Sequence, residues 1–350
     1  MIDRDIYFFR HYLAELMLED AALITPITGG KNSRVYHVIC KNSREFAVKI
    51  YFRDKMDSRE RLRTEWQASQ FMVQQGFQNI PKPMVKDETY DVAVYEYIQG
   101  VKLSNAQIEI QSIHELVSFL TRLEQGKKLP EATPLPPASE ACFSIVDVIE
   151  TIVSRLNRFM EGRTCPYGEK ELMSFINTLL IPFFQEVRGW CYHQVDALHW
   201  DLNQKIEKKD QTISPSDFGF HNALLAKSGV LYFLDFEYFG WDDPAKMIVD
   251  FLLHPAMELR TELKHYFLEQ MLAKFAHIHG IKPRIKIVYP LFGIKWCLIL
   301  LNEFLPCDNK RRALADASLH RKDTVLQLQL QKAHQMYRFV KDTYKEFYDA

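Results

Sequence analysis

The chain has no CxxC pair and no finger spacing: its six cysteines, Cys40, Cys142, Cys165, Cys191, Cys297 and Cys307, are scattered over 350 residues. That pattern argues against a disulfide framework or a thiolate zinc site and predicts reduced, unlinked thiols in a cytoplasmic protein. Three glycine signatures are missing as well. Without GxxxxGK[ST] there is no Walker loop, without GxGxxG no ordinary dinucleotide fold, and without GxSxG no support for serine hydrolase chemistry. Neither charge sign is in excess, since 44 Lys and Arg stand against 45 Asp and Glu. A nucleic-acid binder concentrates positive charge, so no nucleic-acid partner is expected. Long apolar runs are lacking too. The best one, YPLFGIKWCLILLNEFLP, is broken by Gly293, Lys295, Asn302 and Glu303, and the first residues have neither a basic n-region nor a clean apolar h-region. No membrane span and no secretory signal are expected. His277 and His279 are one residue apart on a helical pattern, point in different directions and have no third ligand at metal spacing.

What is present divides the chain in two. Its length suits two lobes of unequal size. The first 20 residues read as a helix, with Ile6, Phe9, Tyr12, Leu13 and Leu16 at helical spacing. ALITPI, SRVYHVI and FAVKIYF then read as strands, a helix runs from Ser58 to a capping glycine at Gly76, and two more strands end in AVYEYI before Gly100. Residues 1–98 thus form a small α+β lobe and residues 99–350 a mainly helical one. The exception in the second lobe is Thr212 to Gly240, read as a polar loop followed by a hairpin of NALLA and LYFLDF joined at KSG. Such an island is where chemistry is expected. The proline-rich KKLPEATPLPPASE is read as a surface excursion or connector.

The hairpin island holds Asp217, five residues before Asn222, and Asp235 at the end of the second strand. An Asn and an Asp are hard oxygen ligands able to hold Mg2+ beside phosphates, and Asp217 could orient an attacking hydroxyl and accept its proton. Asp and Asn are equally turn formers that bound a hairpin. In the first lobe, Lys49 ends an apolar alternating strand and Glu65 lies on the next helix, a pair suited to fixing an ammonium against phosphates. Strand-end lysines also snorkel to solvent, and Glu60 competes with Glu65. Gly29 and Gly30 form a turn whose backbone N–H groups could approach phosphates.

Together these pieces resemble the aminoglycoside phosphotransferase and choline kinase-like family, the small-molecule branch of the protein-kinase-like fold. The resemblance covers residues 22 to 255 and is carried by SDFGFHN, DFEYFGWDDPAKMIVDF and the Lys49 strand. It implies a two-lobed fold, ATP and Mg2+ as cofactors, and a small-molecule hydroxyl acceptor; the acids after Asp235 are compatible with a cationic or polyhydroxylated one. By the same resemblance Asp217 is the catalytic base, Asn222 and Asp235 are Mg2+ ligands, and Lys49 with Glu65 positions the phosphates. Glu96, Tyr97 and Ile98 fall where the family's hinge meets adenine. Glu237, Asp242 and Asp243 would face the acceptor cleft or form a solvated acidic rim, and Asp250 would hold the catalytic loop. His221 would support that loop or face the cleft. One departure stands out: the family's loop-supporting histidine, two positions before the catalytic aspartate, is here Pro215. A nucleotide-binding pseudokinase or interaction module is the alternative. A protein kinase is disfavoured because EYFGWDDP leaves little room for an activation segment.

Overall fold

The computed structural model describes residues 6–27, 33–53, 59–161, 167–305 and 322–347. The first helix, α1 (Ile6–Met17), precedes three antiparallel strands, β1 (Ala21–Ile27), β2 (Ser33–Cys40) and β3 (Glu45–Tyr51). After α2 (Arg61–Gln74) the chain adds β4 (Pro83–Asp87) and β5 (Val92–Glu96), giving a five-stranded sheet in the order β1-β2-β3-β5-β4. The expected order of five strands with a helix after the third is the order observed. Gly76 follows α2 with φ of 75°, the left-handed conformation in which a glycine closes a helix.

Alternation in β3 assigns the two faces of this sheet. Phe46, Val48 and Ile50 pack with Phe9 and Leu13 of α1, while Tyr51 packs with Leu62 and Tyr95 on the side of α2. Lys49 therefore leaves the sheet on the α2 side.

A short β6 (Gly100–Val101) leads into the helical part: α3 (Ile110–Gly126), α4 (Ile145–Glu161), α5 (Glu169–Phe175), α6 (Ile181–Ala197), α7 (Pro244–Leu253), α8 (Thr261–Lys274), α9 (Ile281–Leu300) and α10 (Lys322–Thr343). A π-helical turn at Ile176–Leu180 separates α5 from α6, where Pro182 withholds an N–H from the helical ladder. The segment that begins with α9 is longer and more apolar than its sequence interruptions suggested. Ile281–Phe304 is apolar enough by length and composition to cross a membrane, but 78% of its apolar window is buried inside the protein. It is the central core helix, against which α4, α6, α7 and α10 pack.

Two small sheets break the helical part. β7 (Thr212–Ser214) pairs with β10 (Gly240–Asp242), and β6 pairs with the hairpin of β8 (Ala223–Ala226) and β9 (Leu231–Phe233). The proline-rich segment is mostly exposed, as expected of a surface excursion or connector, but its end is tied to β10. Pro136 and Ala138 bond across to Trp241, and a Cβ on Gly240 would lie 2.2 Å from the Pro136 carbonyl oxygen. Only glycine allows that approach.

Candidate active site

Lys49 is the junction of the site. Its ammonium donates to Glu65 Oε2 at 2.6 Å and to Asp235 Oδ1 at 2.7 Å, with Glu237 Oε2 at 3.6 Å. The bond to Asp235 joins strand β3 to a residue 186 positions away, just past β9. Glu65 is selected over Glu60 by position: Glu60 is exposed and pairs with Arg63, whereas Glu65 is buried and also accepts from the Tyr51 hydroxyl at 2.9 Å. Burial alone would depress the Lys49 ammonium, but Asp235, Glu65 and Glu237 outweigh it and hold its pKa well above the ordinary lysine value. Among the described residues the Glu65, Asp235 and Glu237 carboxylates lie beside Lys49 and Arg61, whose Nε is 3.6 Å from Glu237. Burial, with Asp235 close by, pushes Glu237 up to about 7. Glu65, Asp235 and Glu237 offer hard oxygen donors within 4.8 Å of one another, a donor set that fits a divalent cation.

The second half of the site is the loop from Ser214 to Asn222. Ser216 takes a left-handed φ of 66°, and Asp235 does the same at 66°. Asp235 turns its carboxylate toward Lys49, whereas the Ser216 hydroxyl turns to the Ser139 carbonyl and Lys246, and such conformations persist only when the surroundings enforce them. Enforcement is visible at Ser216, whose N–H donates to Ser214 Oγ at 3.0 Å. Asn222 Nδ2 donates to the Asp217 carbonyl at 2.9 Å, which leaves its Oδ1 as the end able to ligate a cation. Gly219 lies against Met257, where a Cβ would come within 2.3 Å of the sulfur.

Asp217 Oδ1 meets two imidazoles, His254 Nε2 at 2.8 Å and His221 Nε2 at 3.2 Å. Burial would raise the Asp217 carboxyl, but these hydrogen bonds outweigh it and hold its pKa well below the ordinary carboxylate range. Asp217 is 33% exposed, so the carboxylate still opens to the outside. His221 therefore contacts the aspartate directly.

Below the loop lies a buried ladder. Lys246 bridges Asp242 at the end of β10 at 2.7 Å and Asp250 one helical turn on at 3.0 Å, and reaches Ser216 Oγ at 3.5 Å. Asp243 caps α7 by accepting from the Ala245 N–H at 2.8 Å and pairs with Arg284 at 2.6 Å. This corrects the reading of Asp242 and Asp243 as cleft-facing or rim acids: both are buried and committed to partners inside the helical part. Asp250 supports the loop through Lys246, not directly.

Glu96, Tyr97 and Ile98 lie between β5 and β6. The Glu96 N–H is committed to the Lys82 carbonyl at 2.9 Å, the Tyr97 ring stacks on His37 at 3.7 Å, and Ile98 is buried. Gly29 and Gly30 lie outside the described residues. Two residues that sequence reasoning missed are Lys246 and His254. The spacing Asp242, Lys246, Asp250 was a readable signal for the first, and nothing in the sequence beyond the vacancy at Pro215 pointed to the second.

Comparison with solved structures gives the same architecture. A Plasmodium vivax ethanolamine kinase aligns with TM-score 0.59 at 14% identity, over 97% of this chain and 90% of that one. A spectinomycin phosphotransferase in complex with ADP and spectinomycin aligns with TM-score 0.61 at 12% identity, over 94% and 97%. A choline kinase from Streptococcus pneumoniae aligns with TM-score 0.60 at 16% identity, over 95% and 99%. At these identities the likeness establishes the fold alone. No curated protein sequence matches. A sequence model of a phosphotransferase enzyme family does match, over residues 23–277, a span that contains Lys49, Glu65, Asp217, Asn222, Asp235 and His254. The chain belongs to that phosphotransferase enzyme family.

Proposed function

We propose that the chain is a small-molecule kinase that transfers the γ-phosphoryl group of ATP to a hydroxyl group, with ATP bound between a lobe of residues 1–98 and a lobe of residues 99–350. The observation that carries this reading is the Lys49 ammonium pinned between Glu65 of the sheet lobe and Asp235 of the hairpin. A strand lysine fixed in this way steadies the α and β phosphates. Glu96, with its N–H already used, would offer its carbonyl to a base edge, beside the backbone of Tyr97 and Ile98. Gly29 and Gly30 are assigned to the phosphates on sequence alone.

Asn222 Oδ1 and Asp235 would hold Mg2+, which offsets the charge that develops on the transferring group. Asp217 orients the acceptor hydroxyl through Oδ2, since Oδ1 is taken by the two histidines. A new bond forms between the acceptor oxygen and the γ phosphorus, the bond to the β,γ-bridging oxygen breaks, and the acceptor proton passes to Asp217. Because this carboxylate is held well below its ordinary pKa, it is a weak base. Its contribution is mainly orientation, with proton acceptance late, as suits a loose phosphoryl transition state.

The acceptor is a small molecule rather than a protein. Between Asp235 and β10 the chain has only Phe236 to Phe239, with Phe236 and Phe239 buried, which leaves no segment to seat a peptide. The acids that would have suited a cationic acceptor in the cleft are buried instead, Asp242 and Asp243 with Lys246 and Arg284 and Glu237 beside Lys49 and Arg61, so the reading stops at a hydroxyl-bearing small molecule, polyhydroxylated compounds included. The free thiols of the buried Cys40, Cys142, Cys191 and Cys297 support a cytoplasmic location. The test is ADP formation by purified protein with ATP and Mg2+, with and without a pool of hydroxyl metabolites and aminoglycosides. Acceptor-dependent ADP that disappears in Asp217→Ala supports a kinase; nucleotide binding with no acceptor-dependent turnover favours a pseudokinase disabled around Pro215.

A further inference from the structure

We propose that His254 is the positioning residue for Asp217, doing from the end of α7 what Pro215 cannot do from within the loop. The inference rests on the reading of Asp217 as the residue that orients the acceptor. α7 stops at Leu253, His254 leaves the helix with φ of −61° and ψ of 118°, and Pro255 prevents the helix from continuing. The imidazole is thereby turned toward the loop, where its Nε2 lies 2.8 Å from Asp217 Oδ1.

The hydrogen bonds fix the tautomer. The backbone N–H of Ala256 donates to His254 Nδ1 at 3.2 Å, so Nδ1 carries the lone pair and Nε2 carries the proton. His254 is therefore a neutral donor to the carboxylate. The same contact argues against a metal, although Asp217, His221 and His254 offer three ligand atoms within 4.8 Å of one another. A metal on Nε2 would move the proton to Nδ1 and set it against the Ala256 N–H, donor against donor.

Packing holds the ring in place. Its face stacks on His221 at 4.0 Å and 12°, and its edge meets Trp296 at 4.7 Å and 73°. Trp296 is itself tied to Asp250 Oδ1 at 3.1 Å. Three residues on, Met257 seats Gly219 and accepts from the Phe220 N–H at 3.3 Å, so the segment from His254 to Met257 buttresses the loop at two points. Such a brace leaves Asp217 Oδ2 aimed while Oδ1 is held.

The experiment pairs His254→Phe, which keeps the ring volume but has no donor, with His254→Gln, whose amide places a donor near the same point. Acceptor-dependent ADP formation should show kcat reduced about 10- to 100-fold in His254→Phe, the rate equivalent of one hydrogen bond to a charged group, with the KM for ATP within about twofold of wild type. His254→Gln should recover most of the loss. Long-range hydrogen–nitrogen correlation spectra of the histidine-labelled wild-type chain should show His254 protonated on Nε2 alone. Wild-type kcat in His254→Phe, equal losses in both variants with a raised KM for ATP, or a proton on Nδ1 would each overturn the proposal. If His254→Phe does not fold, His254→Gln and the nitrogen spectrum decide. Wild-type protein no more active than Asp217→Ala would sink the kinase reading instead, and the nitrogen spectrum of that sample still decides the tautomer.

Discussion

Replacing Lys246 with methionine should destabilise the protein by an amount that depends on pH in a defined direction. Lys246 is 1% exposed and sits between Asp242, which is fully buried, and Asp250. Removing one partner from a buried ion pair costs about 3–5 kcal/mol, because the remaining charge is left in a medium that solvates it poorly. Methionine keeps the volume, so this cost should dominate over any cavity. Burial outweighs the pull of Lys246 and raises the Asp242 carboxyl to about 6. A carboxyl with a raised folded pKa carries no penalty below its unfolded value and loses stability as pH rises through its folded value. Without Lys246 that folded value climbs further. At about pH 8 the variant bears the full ~3–5 kcal/mol. At about pH 5 Asp242 is already mostly protonated in the wild type, only the Asp250 pair remains to be lost, and the cost should fall by about half. Urea unfolding of both proteins at the two pH values, followed by fluorescence and circular dichroism, gives the difference directly. The double variant Asp242→Asn/Lys246→Met should regain part of the loss at about pH 8. A cost that is the same at both pH values, or below about 1 kcal/mol at pH 8, would refute the reasoning about the ladder.

Other substitutions report on the site itself. Lys49→Met should reduce kcat by at least about 100-fold, since the phosphates lose their cation, and Glu65→Gln by about tenfold, because Asp235 still holds the ammonium; steady-state kinetics with ATP as the varied substrate measures both. Gly219→Ala should destabilise by about 1–3 kcal/mol through overlap with the Met257 sulfur, and Met257→Ala in the same chain should relieve part of it in a denaturation series. Asp217→Ala should leave ATP binding within about threefold of wild type by calorimetry while turnover collapses, as expected of a residue that touches the acceptor and not the nucleotide.

The sheet lobe was legible because period-two alternation in β3 is a local property: once Phe46, Val48 and Ile50 face one side, Lys49 must face the other. Asp217, Asn222 and Asp235 were singled out by the family resemblance, and a short loop and a hairpin hold them in place. The choice between Glu60 and Glu65 required the helix's rotation against the sheet, which packing sets and spacing does not. Asp242 and Asp243 were misplaced because acidic residues next to a turn usually face water, whereas here a lysine and an arginine follow them into the interior. His254 was invisible for a different reason. Its contact with Asp217 spans 37 positions and depends on where α7 stops, a tertiary event with no periodic trace.

The most direct test of the account is the fate of the γ-phosphoryl group. ATP labelled with heavy oxygen in the nonbridging γ positions should yield, with the acceptor pool and Mg2+, a phosphorylated small molecule carrying the whole label, and Asp217→Ala should yield none. Labelled inorganic phosphate alone, or the same product from both proteins, would contradict the assignment of this site to phosphoryl transfer.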